Sequence, residues 1–333
     1  MKNLIKLAVA AALALLALPL FAGGSRAAEG GKPRIGIAKF VTHDALDACE
    51  RGILDALKQR GVDADIDLQN ANADANTSAQ IANKFRSDRV NVAVGIATPV
   101  SQALANTFKD IPVVFTAVTD PVGANLVSSL ANGSGNVAGL SDEIPTVDHI
   151  ALFKEIAGIK TLGYIYTSSE ANSISALALV EEGCRKAGLG LVTQSITSSA
   201  ELRQAAEAIV NRVDGIYLTT DNVVYSALPA LIQVFGSAKK PIFSGDVTSV
   251  MNGGAMIASG FNYYKAGVAT GNIIADIIGG KNPADIPVKF LTDPSESDLL
   301  FDLDAARLCG IAIPEKYLSQ ATHIFENGKL TTK

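Results

Sequence analysis

The chain has 333 residues, of which 48% are hydrophobic, and its formal net charge is −5 at pH 7. This length is sufficient for two domains with a substantial core, and the hydrophobic fraction excludes a disordered chain. The sequence contains no basic block, so its composition argues against a nucleic-acid partner.

The first residues predict a secretory signal peptide. Lys2 and Lys6 flank the start of an apolar run over residues 7–22, and small residues follow before a cleavage site near Ala27. The run is shorter than the roughly 20 residues that a spanning helix needs, which disfavours a membrane anchor. Cleavage removes three basic residues and no acidic one, so the net charge becomes −8. We therefore expect residues 1–27 to be removed and the mature protein to lie in the periplasm.

Strands and helices are predicted to alternate in the first half of the mature chain. The run over residues 90–97 is almost entirely apolar, which is typical of a strand buried on both faces of a parallel sheet. Thr98 then offers an N-cap hydroxyl and Pro99 a first helical residue, which predicts a helix up to residue 108. The other predicted strands are 33–40, 64–68 and 111–118, and the other predicted helices are 44–61 and 77–88.

The segment 131–142 is rich in Gly, Ser and Asn, and we interpret it as a linker. Its glycine spacing does not fit a dinucleotide-binding loop, and no helix follows it directly. The alternation then restarts. The predicted helices are 147–157, 173–187, 199–211, 222–237, 264–278 and 304–308, and the predicted strands are 161–166, 189–195, 215–219, 241–244 and 287–291.

This order predicts an α/β fold with two doubly wound parallel-sheet lobes, joined by a hinge that the chain crosses more than once. The predicted first lobe comprises residues 28–143 and 248–290. The predicted second lobe comprises residues 144–247 and 291–333. A cleft between the lobes follows from this topology.

Short polar clusters stand at the ends of the predicted strands in both halves. Examples are Thr98 with Gln102, and Asp120 at the end of strand 111–118. In open α/β sheets this edge binds ligands, because helix N-termini present free N–H groups there. Capping explains any one cluster, but it does not require the carboxylates of Asp120, Asp221 and Asp246. Together the clusters predict a site for a small solute.

Catalytic and metal-binding motifs are missing from the sequence. There is no GxSxG elbow, no phosphate loop and no HExxH, and His43, His149 and His323 lack metal-ligand spacing. We therefore predict no enzyme activity, no catalytic residue, no metal and no cofactor. Cys49, Cys184 and Cys309 are expected to be buried free thiols, although an oxidising compartment would permit one disulfide.

Several further segments are distinctive, including GIATPVSQALANTFKDIPVVFTAVTDPVGANLV, GNVAGLSD, SSEANS and VDGIYLTTDNVV. They resemble the family of ABC-transporter substrate-binding proteins that includes tryptophan- and tyrosine-binding members. The resemblance covers nearly all of the mature chain and implies a type I periplasmic-binding fold with three crossovers. It also implies hinge closure around the solute and delivery to an ABC permease and its ATPase. The ligand contacts that it implies are His43, Thr98, Gln102, Asp120, Glu170, Asn172, Ser173, Asp221, Asn222 and Asp246.

Two departures from the family pattern concern the ligand. Asp44 follows His43 where the family usually has proline, and Asp302 stands where it typically has asparagine. We hypothesise that Thr98, Ser173 and helix amides hold a carboxylate, while Asp221 or Asp246 holds an ammonium group. The alternatives are a sugar or nucleoside-type solute, or a ligand sensor without a transport role. The protein is expected to be a monomer.

Overall fold

The computed structural model describes residues 31–291 and 293–333. The predicted signal peptide lies outside the described residues. Two sheets, each covered by helices, form the body of the protein from Pro33 onward.

The first sheet has the strand order β11-β5-β4-β3-β1-β2, and all its pairs are parallel. We call this sheet and its helices the first lobe. Its strands are β1 (Arg34–Lys39), β2 (Asp65–Asn70), β3 (Val92–Ile96), β4 (Val113–Val118), β5 (Val137–Ser141) and β11 (Lys289–Phe290). Its helices are α1 (Asp44–Gln59), α2 (Ala75–Ser87), α3 (Thr98–Thr107) and α9 (Tyr263–Ile278).

The second sheet has the order β14-β13-β12-β10-β9-β8-β6-β7, with antiparallel pairs at β10–β12 and β13–β14. It forms the second lobe. Its strands are β6 (Thr161–Thr167), β7 (Gly190–Ile196), β8 (Gly215–Leu218), β9 (Ile242–Ser244), β10 (Ile257–Phe261), β12 (Ser297–Asp302), β13 (His323–Glu326) and β14 (Lys329–Thr332). Its helices are α4 (Thr146–Ala157), α5 (Ala171–Ala187), α6 (Leu202–Ile209), α7 (Asn222–Ser226), α8 (Leu228–Ser237), α10 (Leu303–Cys309) and α11 (Glu315–Leu318).

The chain passes between the lobes three times, which confirms the predicted fold class and its crossovers. The crossings follow β5, β10 and β11.

After the second crossing, α9 packs closely along α1. Gly52 and Gly267 lie at this contact, where a Cβ on Gly267 would come within 2.0 Å of the Cys49 carbonyl oxygen. Glycine is therefore required for the two helix backbones to approach.

Three expectations about the elements were wrong. The predicted linker 131–142 contains β5, whose residues are all buried between β4 and β11. Residues 257–261 were assigned to the first lobe, but β10 pairs with β9 and β12 in the second sheet. The single helix 222–237 is broken at Ala227, because Pro229 has no N–H group for the carbonyl four residues earlier.

The cysteines are free thiols. Cys49 and Cys184 are buried and Cys309 is half-buried. Burial raises the pKa of Cys49 to about 12 and that of Cys184 to about 11, so both are protonated at neutral pH. None of the helices in the described part of the chain is long and apolar enough to cross a membrane.

Candidate ligand-binding site

The carboxyl ends of strands from both sheets meet at the cleft between the lobes, and direct hydrogen bonds between described residues cross it. Thr119, after β4, is 2.6 Å from Thr220, after β8, between the two hydroxyl oxygens. Ser175 Oγ, on α5, donates to Asp120 Oδ2 over 3.0 Å. The two lobes are therefore closed against each other at these points.

A small cavity lies where the lobes meet. Residues from both sides form its wall, and most of its polar groups are carboxylates, amides or hydroxyls. The lining residues are His43, Leu46, Asp142, Thr220, Asp221, Asn222, Tyr225, Asp246 and Tyr263.

Asp142 is the charged cavity residue that sequence reasoning missed, and the uncharged lining residues Leu46, Thr220, Tyr225 and Tyr263 were missed with it. Asp142 follows β5 at the first crossing and is 2% exposed. Its Oδ2 accepts a 2.7 Å hydrogen bond from the Tyr263 hydroxyl, and its Oδ1 accepts one of 3.1 Å from Thr119. Burial raises the pKa of Asp142 to about 6, although these two hydrogen bonds act to lower it. The signal that could have found it is the SD pair ending GNVAGLSD, which was read as part of a linker.

Asp246 faces the same cavity from the second lobe, after β9. Its carboxylate accepts hydrogen bonds from the Thr248 N–H at 2.8 Å and from the Ser249 N–H and hydroxyl. Burial raises the pKa of Asp246 to about 6, and the negative charge of Asp142 adds to this shift. Two buried carboxylates from different lobes thus line one cavity and repel each other, an arrangement that a positive charge relieves.

Asp221 also reaches the cavity wall, but its oxygens are already occupied. They accept from the Thr167 N–H at 2.6 Å, the Thr167 hydroxyl at 2.7 Å, the Ser173 hydroxyl at 2.7 Å and the Val224 N–H at 3.0 Å. All four donors belong to the second lobe. Asp221 therefore caps α7 and ties it to β6 and α5. The hydrogen of the Ser173 hydroxyl is already used in the bond to Asp221.

Glu170 lies behind Asn172 and Asn222, and is 1% exposed. Its carboxylate accepts from the side-chain amides of both asparagines and, over 3.1 Å, from the Val223 N–H. Burial and, second, the nearby charge of Asp221 raise the pKa of Glu170, whereas the three donors favour its ionised form. Through these three bonds the carboxylate joins the start of α5 to α7 in the second lobe.

Thr98 begins α3 in the first lobe, where its buried hydroxyl oxygen has no hydrogen-bond partner. The preceding Ala97 has φ 86° and ψ 158°, a region that L-residues rarely adopt. Such strain is concentrated at ligand sites. Gln102, one turn further on, donates to the carbonyl of Ala124 over 3.0 Å and so holds the loop after β4.

His43 precedes α1 and contributes a neutral ring to the cavity. Burial lowers its pKa to about 4, and the neighbouring Asn222 side chain opposes this shift. Both ring nitrogens are buried without a hydrogen-bond partner. The ring lies 5.9 Å from that of Tyr225, between centroids. The adjacent Asp44 is exposed and lines a groove outside the cavity.

The structure places four of the ten predicted site residues on the cavity and gives the other six different environments. His43, Asp221, Asn222 and Asp246 line the cavity. Thr98, Glu170, Asn172 and Ser173 are buried at strand ends, while Gln102 and Asp120 are half-buried. Among the described residues, no cluster of three His, Cys, Asp or Glu side chains could hold a metal ion.

Two α/β lobes, three crossings and a closed polar cavity between them define a small-molecule binding protein of the type I periplasmic-binding fold. Residues 34–325 match the family model of the ABC transporter substrate binding proteins, and the chain belongs to that family. This confirms the resemblance found in the sequence.

Three relatives are informative. The chain is 37% identical over 282 residues to a tyrosine-binding protein of Clostridioides difficile, covering 82% of this chain and 81% of the relative. It is 33% identical to a Streptococcus pneumonia ABC domain solved with L-Trp, with a TM-score of 0.83 and coverage of 89% and 100%. It is 36% identical to a ligand-free, open substrate-binding protein from Clostridium difficile, with a TM-score of 0.63 and coverage of 85% and 96%.

The two TM-scores differ although the sequence identities are similar. The backbone is closer to the structure solved with L-Trp than to the open, ligand-free one. The hydrogen bonds from Thr119 to Thr220 and from Ser175 to Asp120 agree with this, because they require the lobes to be in contact. The present structure is the closed arrangement.

Proposed function

We propose that this protein is the extracytoplasmic solute-binding component of an ABC importer and that its solute is an aromatic α-amino acid. In this proposal residues 1–27 are removed on export, and the mature protein acts as a monomer in the periplasm. It closes on its solute and delivers it to a membrane permease driven by an ATPase. The tyrosine-binding and L-Trp-bound relatives support this choice of solute.

The observation that carries the proposal is the pair of buried carboxylates, Asp142 and Asp246, on one cavity. A solute ammonium group between them accounts for both, since it neutralises charges that are costly to bury alone. Each carboxylate keeps hydrogen bonds from its own lobe, so the ammonium group adds a link between the lobes. Closure of the cleft is then coupled to the arrival of a cation.

The solute carboxylate has a separate place at the N-terminus of α3. The Thr98 hydroxyl is buried there without a partner, and the first-turn amides of a helix have no intrahelical acceptors. An anion gains from these donors and from the helix dipole. The solute ring packs against the apolar and aromatic part of the cavity wall, which comprises Leu46, Tyr225 and Tyr263.

This arrangement binds an amino acid without transforming it. The solute's opposite charges are held by groups on both lobes, so each lobe alone makes an incomplete site. When the lobes separate, water returns to the carboxylates and the charge-assisted bonds weaken. Opening at the permease therefore releases the solute.

Calorimetry on the mature protein, residues 28–333, tests this proposal. We expect one molecule of L-tyrosine or L-tryptophan per chain and an increase in melting temperature with solute concentration. The deaminated analogue 3-(4-hydroxyphenyl)propionate should bind at least tenfold more weakly, because it has no ammonium group. Failure of every aromatic amino acid to bind or stabilise the protein would overturn the assignment.

A further inference from the structure

Glu170 makes an unusual set of contacts for a residue at the start of a helix. It precedes α5 but does not cap it, and its carboxylate instead reaches α7. Oε1 accepts the Val223 N–H over 3.1 Å, and Oε2 accepts the side-chain amide N–H groups of Asn172, at 3.1 Å, and Asn222. All three neighbours are donors, so the carboxylate dictates which end of each asparagine amide faces it.

Asn172 is fixed in one orientation by this contact. Its Nδ2 also donates to the Thr220 carbonyl over 3.0 Å, so both amide hydrogens are used. A flipped amide would place Oδ1 against two acceptors, the Glu170 carboxylate and the Thr220 carbonyl. The Oδ1 atom therefore points elsewhere, and it is buried without a hydrogen-bond partner.

The side-chain amide of Asn222 is also fixed in one orientation by Glu170. Its Nδ2 donates to Glu170, so Oδ1 is turned away from that carboxylate, and Asn222 also lines the cavity. His43 lines the same cavity from the first lobe. The Asn172 oxygen is thus a buried acceptor without a partner, and Asn222 lines the cavity with its Nδ2 turned towards Glu170.

We infer that Glu170 is a positioning residue that holds Asn172 and Asn222 so that their amide oxygens accept hydrogen bonds from the solute amino group, and that it thereby sets selectivity for amines. This inference deepens the proposed function and rests on it. An ammonium group supplies three N–H donors, enough for acceptors beyond the Asp142 and Asp246 pair. A solute with a carbonyl or hydrogen in place of the amine leaves these buried oxygens unpaired, which is costly.

The test compares wild-type protein with Glu170→Gln, which keeps the shape of the side chain but replaces one acceptor oxygen with an N–H₂ donor. That donor would face an asparagine N–H₂, so one amide must turn. We expect L-tyrosine affinity to fall at least tenfold and 3-(4-hydroxyphenyl)propionate affinity to change less than threefold. The ratio of the two affinities therefore collapses, whereas a general loss of structure would weaken both solutes equally.

Glu201→Gln is the matched control, because Glu201 accepts from Thr197 at an exposed site in the same lobe. It should keep the wild-type ratio. If Glu170→Gln does not fold, Asn172→Ser supplies the same comparison, since it removes the amide and keeps Glu170. An unchanged ratio in Glu170→Gln, or in Asn172→Ser where that variant replaces it, would overturn the inference.

A measurement without solute separates this inference from the proposed function. In wild-type protein, the side-chain amide protons of Asn172 and Asn222 should exchange slowly with solvent, as measured by NMR. In Glu170→Gln they should exchange at least tenfold faster. Slow exchange in both proteins would refute the positioning role. A third outcome is that the exchange difference is seen but wild-type protein binds no aromatic amino acid. That result would overturn the proposed function and the amine selectivity. It would leave the positioning of the two amides by Glu170 intact.

Discussion

Ser175 Oγ donates a 3.0 Å hydrogen bond to Asp120 Oδ2 and so joins helix α5 of the second lobe to the loop after β4 of the first. The other oxygen of Asp120 accepts the Gly123 N–H over 2.7 Å within its own lobe. Asp120 is therefore held in place by one lobe and contacts the other, as expected of a residue that secures closure. The sequence predicted Asp120 to be a ligand contact, and the structure shows it in contact with Ser175.

Replacing Ser175 with alanine should weaken closure without unfolding either lobe. The change removes one hydrogen bond to a carboxylate at a half-buried site, worth about 1 kcal/mol. We expect solute affinity to fall about fivefold, mainly through faster dissociation measured by stopped-flow fluorescence. Ser87→Ala, at the end of α2, removes a hydroxyl that bonds only within its helix and should have no effect. Equal dissociation rates in the two variants would contradict this role.

Replacing Thr98 with valine should have opposite effects on binding and stability. The hydroxyl has no partner in the protein, so its removal should leave the melting temperature unchanged or slightly higher. Binding of an amino acid should weaken about tenfold, because a hydrogen bond to its carboxylate is lost. Thr107→Val at the other end of α3 is the control. A loss of stability with unchanged affinity would contradict the assigned role.

Solute binding should release protons near pH 6. In the closed protein the pKa values of Asp142 and Asp246 are about 6, above the ordinary 3.8, because both groups are buried. For such groups the stabilising contribution is fully present below pH 3.8 and is lost as pH rises through 6. An ammonium group favours the carboxylate forms, so affinity should fall as pH drops below 6.

Calorimetry in two buffers of different ionisation enthalpy measures this proton release directly. Asp246→Asn should reduce the release and weaken L-tyrosine binding at least tenfold, since one charge-assisted bond is lost. Asp74→Asn, at the exposed N-cap of α2, should leave both quantities unchanged. Proton uptake on binding would contradict the placement of the ammonium group.

Asp221 and Asp246 should behave differently although both line the cavity. Asp221 accepts four hydrogen bonds from its own lobe, so Asp221→Asn turns one of them into a clash between donors. We expect the free energy of unfolding to fall by about 2–3 kcal/mol in denaturant titrations. Asp246→Asn should lower it less, because Asp246 Oδ2 accepts only the Ser249 hydroxyl, which can turn and accept from the new amide, whereas each Asp221 oxygen accepts a backbone N–H. Unchanged stability of Asp221→Asn together with lost binding would restore Asp221 as the ammonium ligand.

The sequence predicted most of the strands and helices because each depends on neighbouring residues. The apolar run that became β3, and the Thr98–Pro99 start of α3, are local patterns. β5 was missed because Gly, Ser and Asn dominate the segment around it. Its five residues are buried only because β4 and β11 pair with it on either side, and β11 lies about 150 residues further along the chain.

In the candidate site, too, some features follow from local sequence and others only from tertiary contacts. Sequence alone determined that polar residues follow the strands of two α/β halves, since the order of elements sends those ends to one edge of each sheet. Tertiary structure decided which carboxylates are free for a solute. Asp221 has the sequence pattern of a ligand contact, but its oxygens accept hydrogen bonds from Thr167 and Ser173, which are distant in sequence. Asp142, in contrast, lines the cavity. The physical reason is that a carboxylate's partners depend on strand register and lobe packing, which no local pattern encodes.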